Sequence, residues 1–221
     1  MIKLTPALKK QITNDWAQAF PGLGVYKQMH MLRRVGPIVL GICLNRSAAG
    51  TTYRPIWHIH LLLKEDSALS LNLAMHYRSK NGSVSAIPVQ WHANRFAAAV
   101  ERMRTSALLP MEGDVYLSQV LDAYERWMKE PGNPVGSHNF EDRVLLCAWM
   151  NRLDAAAYFL REAEDWLRSR PDYMRERFGN IDEWLERVRQ AASNRQELER
   201  ILKVQVIAHK LDKLPTSEML P

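Results

Sequence analysis

Apolar residues at Leu8, Ile12, Trp16, Ala19 and Phe20 recur at helical spacing behind Thr5-Pro6. This predicts a helix capped by Thr5, with Pro6 in its first turn and Pro21-Gly22 at its end. From Val25 the pattern changes to strands. VYKQMHMLRR and, after a Gly36-Pro37 turn, IVLGICL are the first two, the second apolar on both faces and therefore central. NRSAAGTT forms a loop. Tyr53 to Leu63 is a third strand, with Pro55 near its start, where a missing ladder donor is tolerated. In the fourth, Leu69, Leu71, Leu73, Met75 and Tyr77 alternate with Ser70, Asn72, Ala74, His76 and Arg78.

The rest reads as helix. One helix runs from Trp91 to Arg104, with Phe96, Val100 and Met103 on one face; another, capped by Asp114, runs through Trp127-Met128. KEPGNPVGSHN then carries two prolines and two glycines and reads as a linker. Beyond it, Phe140, Val144, Ala148, Leu153, Leu160 and Leu167 mark one long helix, or two interrupted near Asn151. Helices from Asp182 to Ala192 and from Asn194 to Leu211 follow, and LPTSEMLP reads as an untethered tail, though one that could equally dock. The expected fold is α+β: a mainly antiparallel four- to five-stranded sheet with flanking helices, followed by an all-helical C-terminal half. The expected division is a basic α+β domain over residues 1–130 and a helical domain over 139–221.

Composition supports a folded chain: 221 residues, 47% hydrophobic and 24% charged, well outside the range of disordered sequences. Cys43 and Cys147 each sit in an apolar run, as small buried residues of a reducing compartment do, so the expected location is the cytoplasm. No segment approaches the ~18 uninterrupted apolar residues of a membrane span.

Charge changes the picture more. The net +6 divides into 14 Lys+Arg against four acids over residues 1–110, and 16 against 20 over residues 111–221. Five of the seven histidines fall in the basic half. Either the halves neutralise each other, or the basic one is left open to an anionic partner.

The third and fourth strands are joined by only KEDSA, so an antiparallel hairpin is expected. Pairing Leu61 with Leu71, Ile59 with Leu73 and Trp57 with Met75 gathers the large apolar side chains on one side. The other side then carries His58, His60, Asn72, His76 and Arg78, and a meander could add His30. Arg33, Arg34, Arg46 and Arg54, at nearby loops, are candidates for an anion-binding rim.

WHIHLLL resembles the His-hydrophobe-His motif of HUH endonucleases, which hold a divalent metal on two strand-borne histidines. The resemblance implies that His58 and His60 are metal ligands and that the basic charge serves DNA binding. It also requires a nucleophilic tyrosine, usually as Tyr-x-x-Lys on a helix. The Tyr-x-x-Lys here is Tyr77 to Lys80, on the fourth strand and on its leucine side. Glycine-rich phosphate loops, Cys-x-x-Cys, His-Glu-x-x-His and Gly-x-Ser-x-Gly do not occur. The expected function is therefore non-catalytic and needs no cofactor: a binding protein whose basic half engages an acidic protein partner or nucleic acid through Arg33, Arg34, Arg46, Arg54, His58, His60, His76 and Arg78. The alternative is a metal-dependent HUH-like nuclease using His58 and His60.

Overall fold

In the computed structural model, which describes residues 2–177 and 179–221, the chain forms two units. Unit 1 comprises Met1–His60, Ala68–Val115 and Lys210–Met219; unit 2 comprises Leu61–Ser67, Tyr116–His209 and Leu220–Pro221. The fold is α+β, with an antiparallel sheet and a helical C-terminal half. Among the described residues, no helix is long and apolar enough to cross a membrane.

Unit 1 begins with α1 (Pro6–Ala19), whose first turn is closed by Thr5 Oγ1 accepting from the Leu8 N–H, as the Thr-Pro start implies. The sheet follows in chain order: β1 (Gly24–Lys27), β2 (His30–Val35), β3 (Ile38–Arg46), β4 (Thr52–Leu61) and β5 (Asn72–His76). Short links between neighbours suit antiparallel pairing, and the β2–β3 register sets His30 opposite Cys43 and Leu32 opposite Gly41. β4 is buried on both faces from Pro55 onward, as the centre of a covered sheet is. β6 (Ile87–Pro88) pairs with β4, a 3-10 turn (Val89–Trp91) leads into α2 (His92–Ser106), and β7 (Val115–Tyr116) follows.

Gly41 shows how closely β2 and β3 approach. A Cβ added there would lie 2.1 Å from the Met31 carbonyl oxygen and 2.9 Å from the Leu32 Cα, both backbone atoms that no rotamer change can move. Gly41→Ala is expected to cost about 1–3 kcal/mol, the range for overpacking a filled core. The check is the urea unfolding midpoint, and an unchanged midpoint would mean that the strands separate freely.

Unit 2 holds α3 (Leu117–Lys129), α4 (Ser137–Trp149), α5 (Leu153–Arg168), α6 (Pro171–Arg177), α7 (Ile181–Ser193) and α8 (Arg195–Ala208). α4 is buried nearly all round, with Asn139, Asp142 and Arg143 enclosed beside Phe140, Val144 and Leu146, which makes it the core helix of the unit. The break expected near Asn151 is present: Asn151 adopts φ 57°, in the left-handed region that Asn tolerates, and divides α4 from α5.

Three expectations are corrected. The period-two segment 69–78 is a strand only over Asn72–His76; Leu73 has φ 50°, and a bulge shifts the register. Trp57 therefore faces Met75 as expected, but Ile59 faces Asn72 rather than Leu73. Asp114 does not cap α3: Tyr116 occupies the N-cap position, and Asp114 Oδ1 accepts from the Glu218 N–H instead. The tail is tethered, because β8 (Thr216–Ser217) adds a parallel strand beside Arg34 and Val35 of β2; β9 (Met219–Leu220) follows it. A row of open backbone donors and acceptors on β2 is what recruits it.

Candidate anion-binding site

α1 is fastened to the β1–β2 turn by one side chain. Thr13 Oγ1 donates to the Lys9 carbonyl at 2.6 Å and accepts from the Met29 N–H at 2.9 Å. Met29 sits at φ 67°, which turns the chain sharply between Lys27 and His30. The Leu44 N–H then donates to the Met29 carbonyl at 2.7 Å, bringing the end of β3 alongside. These three elements enclose a concavity of about 400 Å³ lined by Lys9 of α1, Lys27 to His30 of the turn, and Cys43 to Arg46 of β3. Its charged lining residues, Lys9, Lys27 and Arg46, are all cations, and no carboxylate lines it. Lys27, Gln28, Asn45 and Arg46 are exposed, whereas His30 is 4% exposed.

His30 joins this concavity to the buried face of the sheet. Across Cys43, its Nε2 lies 2.8 Å from the Nε2 of His58, one ring donating to the other. Burial first and Lys27 second push the His30 pKa down from 6.5 to about 4. His58, fully buried, is held well below the ordinary value by burial and then by His30. Both rings are therefore neutral at pH 7. His30 Nδ1 has no hydrogen-bond partner among the described residues.

The structure scatters the residues expected to form one surface. His58 and His60 are 0% and 1% exposed, so they lie inside the unit and not on an open face. The Nδ1 of His60 accepts from the Ser70 N–H at 3.1 Å, which puts its proton on Nε2. His58 turns its Nε2 to His30, and His60 turns its Nδ1 to Ser70. Among the described residues, no three His, Cys, Asp or Glu side chains are grouped as a metal centre requires. Arg33 is 3% exposed and donates to the Gly113 carbonyl at 2.7 Å, which withdraws it from the rim. Arg34 and Arg54 are half-buried, and His76 is half-buried with its pKa lowered by burial, then by Arg54 and Arg78. Arg46 and Arg78 are exposed, and Arg46 belongs to the concavity.

Compared with family models, curated proteins and solved structures, the chain has no significant match. The geometry alone carries the functional argument.

A second polar cluster in unit 1 has an enzyme-like order. Trp16 Nε1 donates to Tyr53 Oη at 3.4 Å, Tyr53 Oη donates to His92 Nδ1 at 2.6 Å, and His92 Nε2 donates to Asp15 Oδ2 at 2.8 Å. A hydroxyl, an imidazole and a carboxylate in line are the parts of an activated nucleophile. Tyr53, however, is 0% exposed, and burial raises its pKa above the usual phenol range, so the hydroxyl stays protonated and out of reach of a substrate. The chain of bonds fastens α1 and α2 to β4. Sequence reading missed it, because Asp15 and His92 lie 77 positions apart and neither stands in a motif.

The two units also differ in how their charges are used. Unit 1 carries 15 Lys+Arg against six Asp+Glu, a balance of +9, and unit 2 carries 15 against 18. Among the described residues, eight cations of unit 2 form ion pairs: Lys64, Lys129, Arg143, Arg168, Arg187, Arg189, Arg195 and Arg200. The ion pair found within unit 1 joins His92 to Asp15 and involves no Lys or Arg.

Proposed function

We propose that the protein is a non-catalytic binding protein whose basic N-terminal unit engages nucleic acid. The observation that carries this reading is the unpaired charge: among the described residues, the Lys and Arg side chains of unit 1 stand without carboxylates within ion-pair distance, and three of them line one concavity. Cations already committed to carboxylates would have to give up those bonds to meet a phosphate backbone, whereas free ones exchange only water and counterions. Rings beside the cations favour nucleic acid over an acidic protein. Tyr26 lies under Lys27 at 5.5 Å and edge-on to His30, and the exposed Trp91 stacks with Arg95 at 4.6 Å. Cations interleaved with aromatic faces suit bases that stack while the backbone is held electrostatically.

Fluorescence anisotropy with a labelled single-stranded oligonucleotide tests this. Affinity should fall steeply with salt, and the Lys9→Ala/Lys27→Ala/Arg46→Ala variant should flatten the log–log slope by about 2, since each phosphate contact on a single strand contributes roughly 0.7. Binding to a polyglutamate peptide but not to the oligonucleotide would replace nucleic acid with an acidic protein as the partner.

A further inference from the structure

The half-open concavity between α1, the β1–β2 turn and β3 gathers three cations that come from separate elements. We infer that it takes a phosphate group, held by Lys9, Lys27 and Arg46 with His30 Nδ1 as the buried hydrogen-bonding partner. This rests on the nucleic-acid reading and sharpens it, because a pocket distinguishes a terminal phosphate from the phosphodiesters that an open surface would meet.

Three observations lead there. The charges converge from separate elements: Lys9 comes from α1, Lys27 from the end of β1 and Arg46 from the end of β3, so their approach is built by the fold. Gln28 and Asn45 add amide groups to the same lining, which supplies neutral hydrogen bonds without any opposing carboxylate. His30, 4% exposed, lines the same concavity, and its Nδ1 has no partner among the described residues, a condition that a bound ligand relieves. In the tautomer where His58 Nε2 donates to His30 Nε2, the proton of His30 sits on Nδ1, which leaves that residue of the lining a donor. The volume of about 400 Å³ lies in the lower part of the range of small-ligand sites, enough for a phosphate and part of the group that carries it.

The phosphate could belong to the end of a strand or to a free nucleotide, and one titration series separates the two. The full chain is titrated at low salt with a 5′-phosphorylated single-stranded 12-mer, the same 12-mer ending in a 5′-hydroxyl, adenosine monophosphate and inorganic phosphate. The phosphorylated strand is expected to bind roughly ten-fold tighter than the hydroxyl strand. Lys27→Ala/Arg46→Ala, at exposed positions, should weaken both strands and abolish the difference between them. His30→Gln tests the buried partner, with its circular dichroism and melting curve confirming that it folds, and should reduce the preference several-fold. Equal binding of the two strands by the wild type overturns the phosphate pocket and leaves the nucleic-acid reading standing. Binding of the mononucleotide or inorganic phosphate without either strand, lost in Lys27→Ala/Arg46→Ala, supports the pocket with a free phosphate compound as its ligand and overturns the nucleic-acid reading. No binding of any of the four overturns both.

Discussion

Between pH 6.5 and about 4 the protein is expected to lose on the order of 3 kcal/mol of stability through His30 alone, with His58 adding in the same direction. The sign follows from where the protons go. Unfolded, each imidazole titrates near 6.5. Folded, His30 takes a proton only near 4, and His58 resists more strongly because it is fully buried against a second ring. Within that window the unfolded chain binds more protons than the native one, so stability falls as the pH falls, and the loss through His30 levels off once both states are protonated. Above pH 6.5 the pair is neutral in both states and contributes no slope. Urea midpoints at pH 7, 6 and 5 measure this before most carboxylates titrate. A His30→Gln/His58→Gln variant should show a much flatter dependence over the same range. If the variant loses stability as steeply as the wild type, the histidine pair is not the source.

The second large effect belongs to unit 2. Asp142 is 0% exposed and accepts from Tyr124 Oη at 2.7 Å and from Lys64 Nζ at 2.5 Å. Burial pulls the Lys64 pKa down, but Asp142 and Glu141 together outweigh it and hold the ammonium above its ordinary value, so Lys64 is charged at neutral pH. Asp142→Ala would take the acceptor from the fully buried Tyr124 phenol and leave the half-buried Lys64 ammonium with the more distant Glu141, at 3.8 Å. Removing one partner of such a pair costs about 3–5 kcal/mol. For a protein of this size that is a fall in Tm on the order of 10 °C. Asp142→Asn, which keeps an acceptor for Tyr124, should recover part of the loss. Glu125→Ala breaks the exposed pair with Lys129 and should leave the melting curve essentially unmoved. Equal losses at the buried and exposed pairs would contradict the assigned core.

The elements of the fold were legible wherever local chemistry decides them. Thr5-Pro6 starts α1 because cap and ring act within one turn, and Asn151 interrupts the helical run because it tolerates left-handed backbone. The hairpin between β4 and β5 was legible to one residue: the alternation of leucines located Met75 opposite Trp57, but a bulge absorbs a residue and has no signature in a period-two pattern. The site was less legible, for a related reason. Alternation shows that a strand has two faces without showing which of them is covered. His58 and His60 therefore read as a surface, although β4 is enclosed on both sides.

Contacts across long separations were invisible altogether. His30 meets His58 from 28 positions away, and Asp142 meets Lys64 from 78 positions away. The charge excess singled out the half of the chain that holds the concavity, but not the residues that line it. Of the four arginines singled out there, only Arg46 reaches the concavity, while Lys9 and Lys27 join it through the Thr13 bonds and the turn at Met29.

The central claim is that the unpaired cations of unit 1 meet a phosphate backbone, and the salt dependence of oligonucleotide binding measures this most directly. Dissociation constants for one single-stranded oligonucleotide between 50 and 300 mM salt should rise with a log–log slope of roughly 2 to 3, corresponding to three or four phosphate contacts. The Lys9→Ala/Lys27→Ala/Arg46→Ala variant should lower that slope by about 2. A wild-type slope near zero, or one that the triple substitution leaves unchanged, would contradict the account.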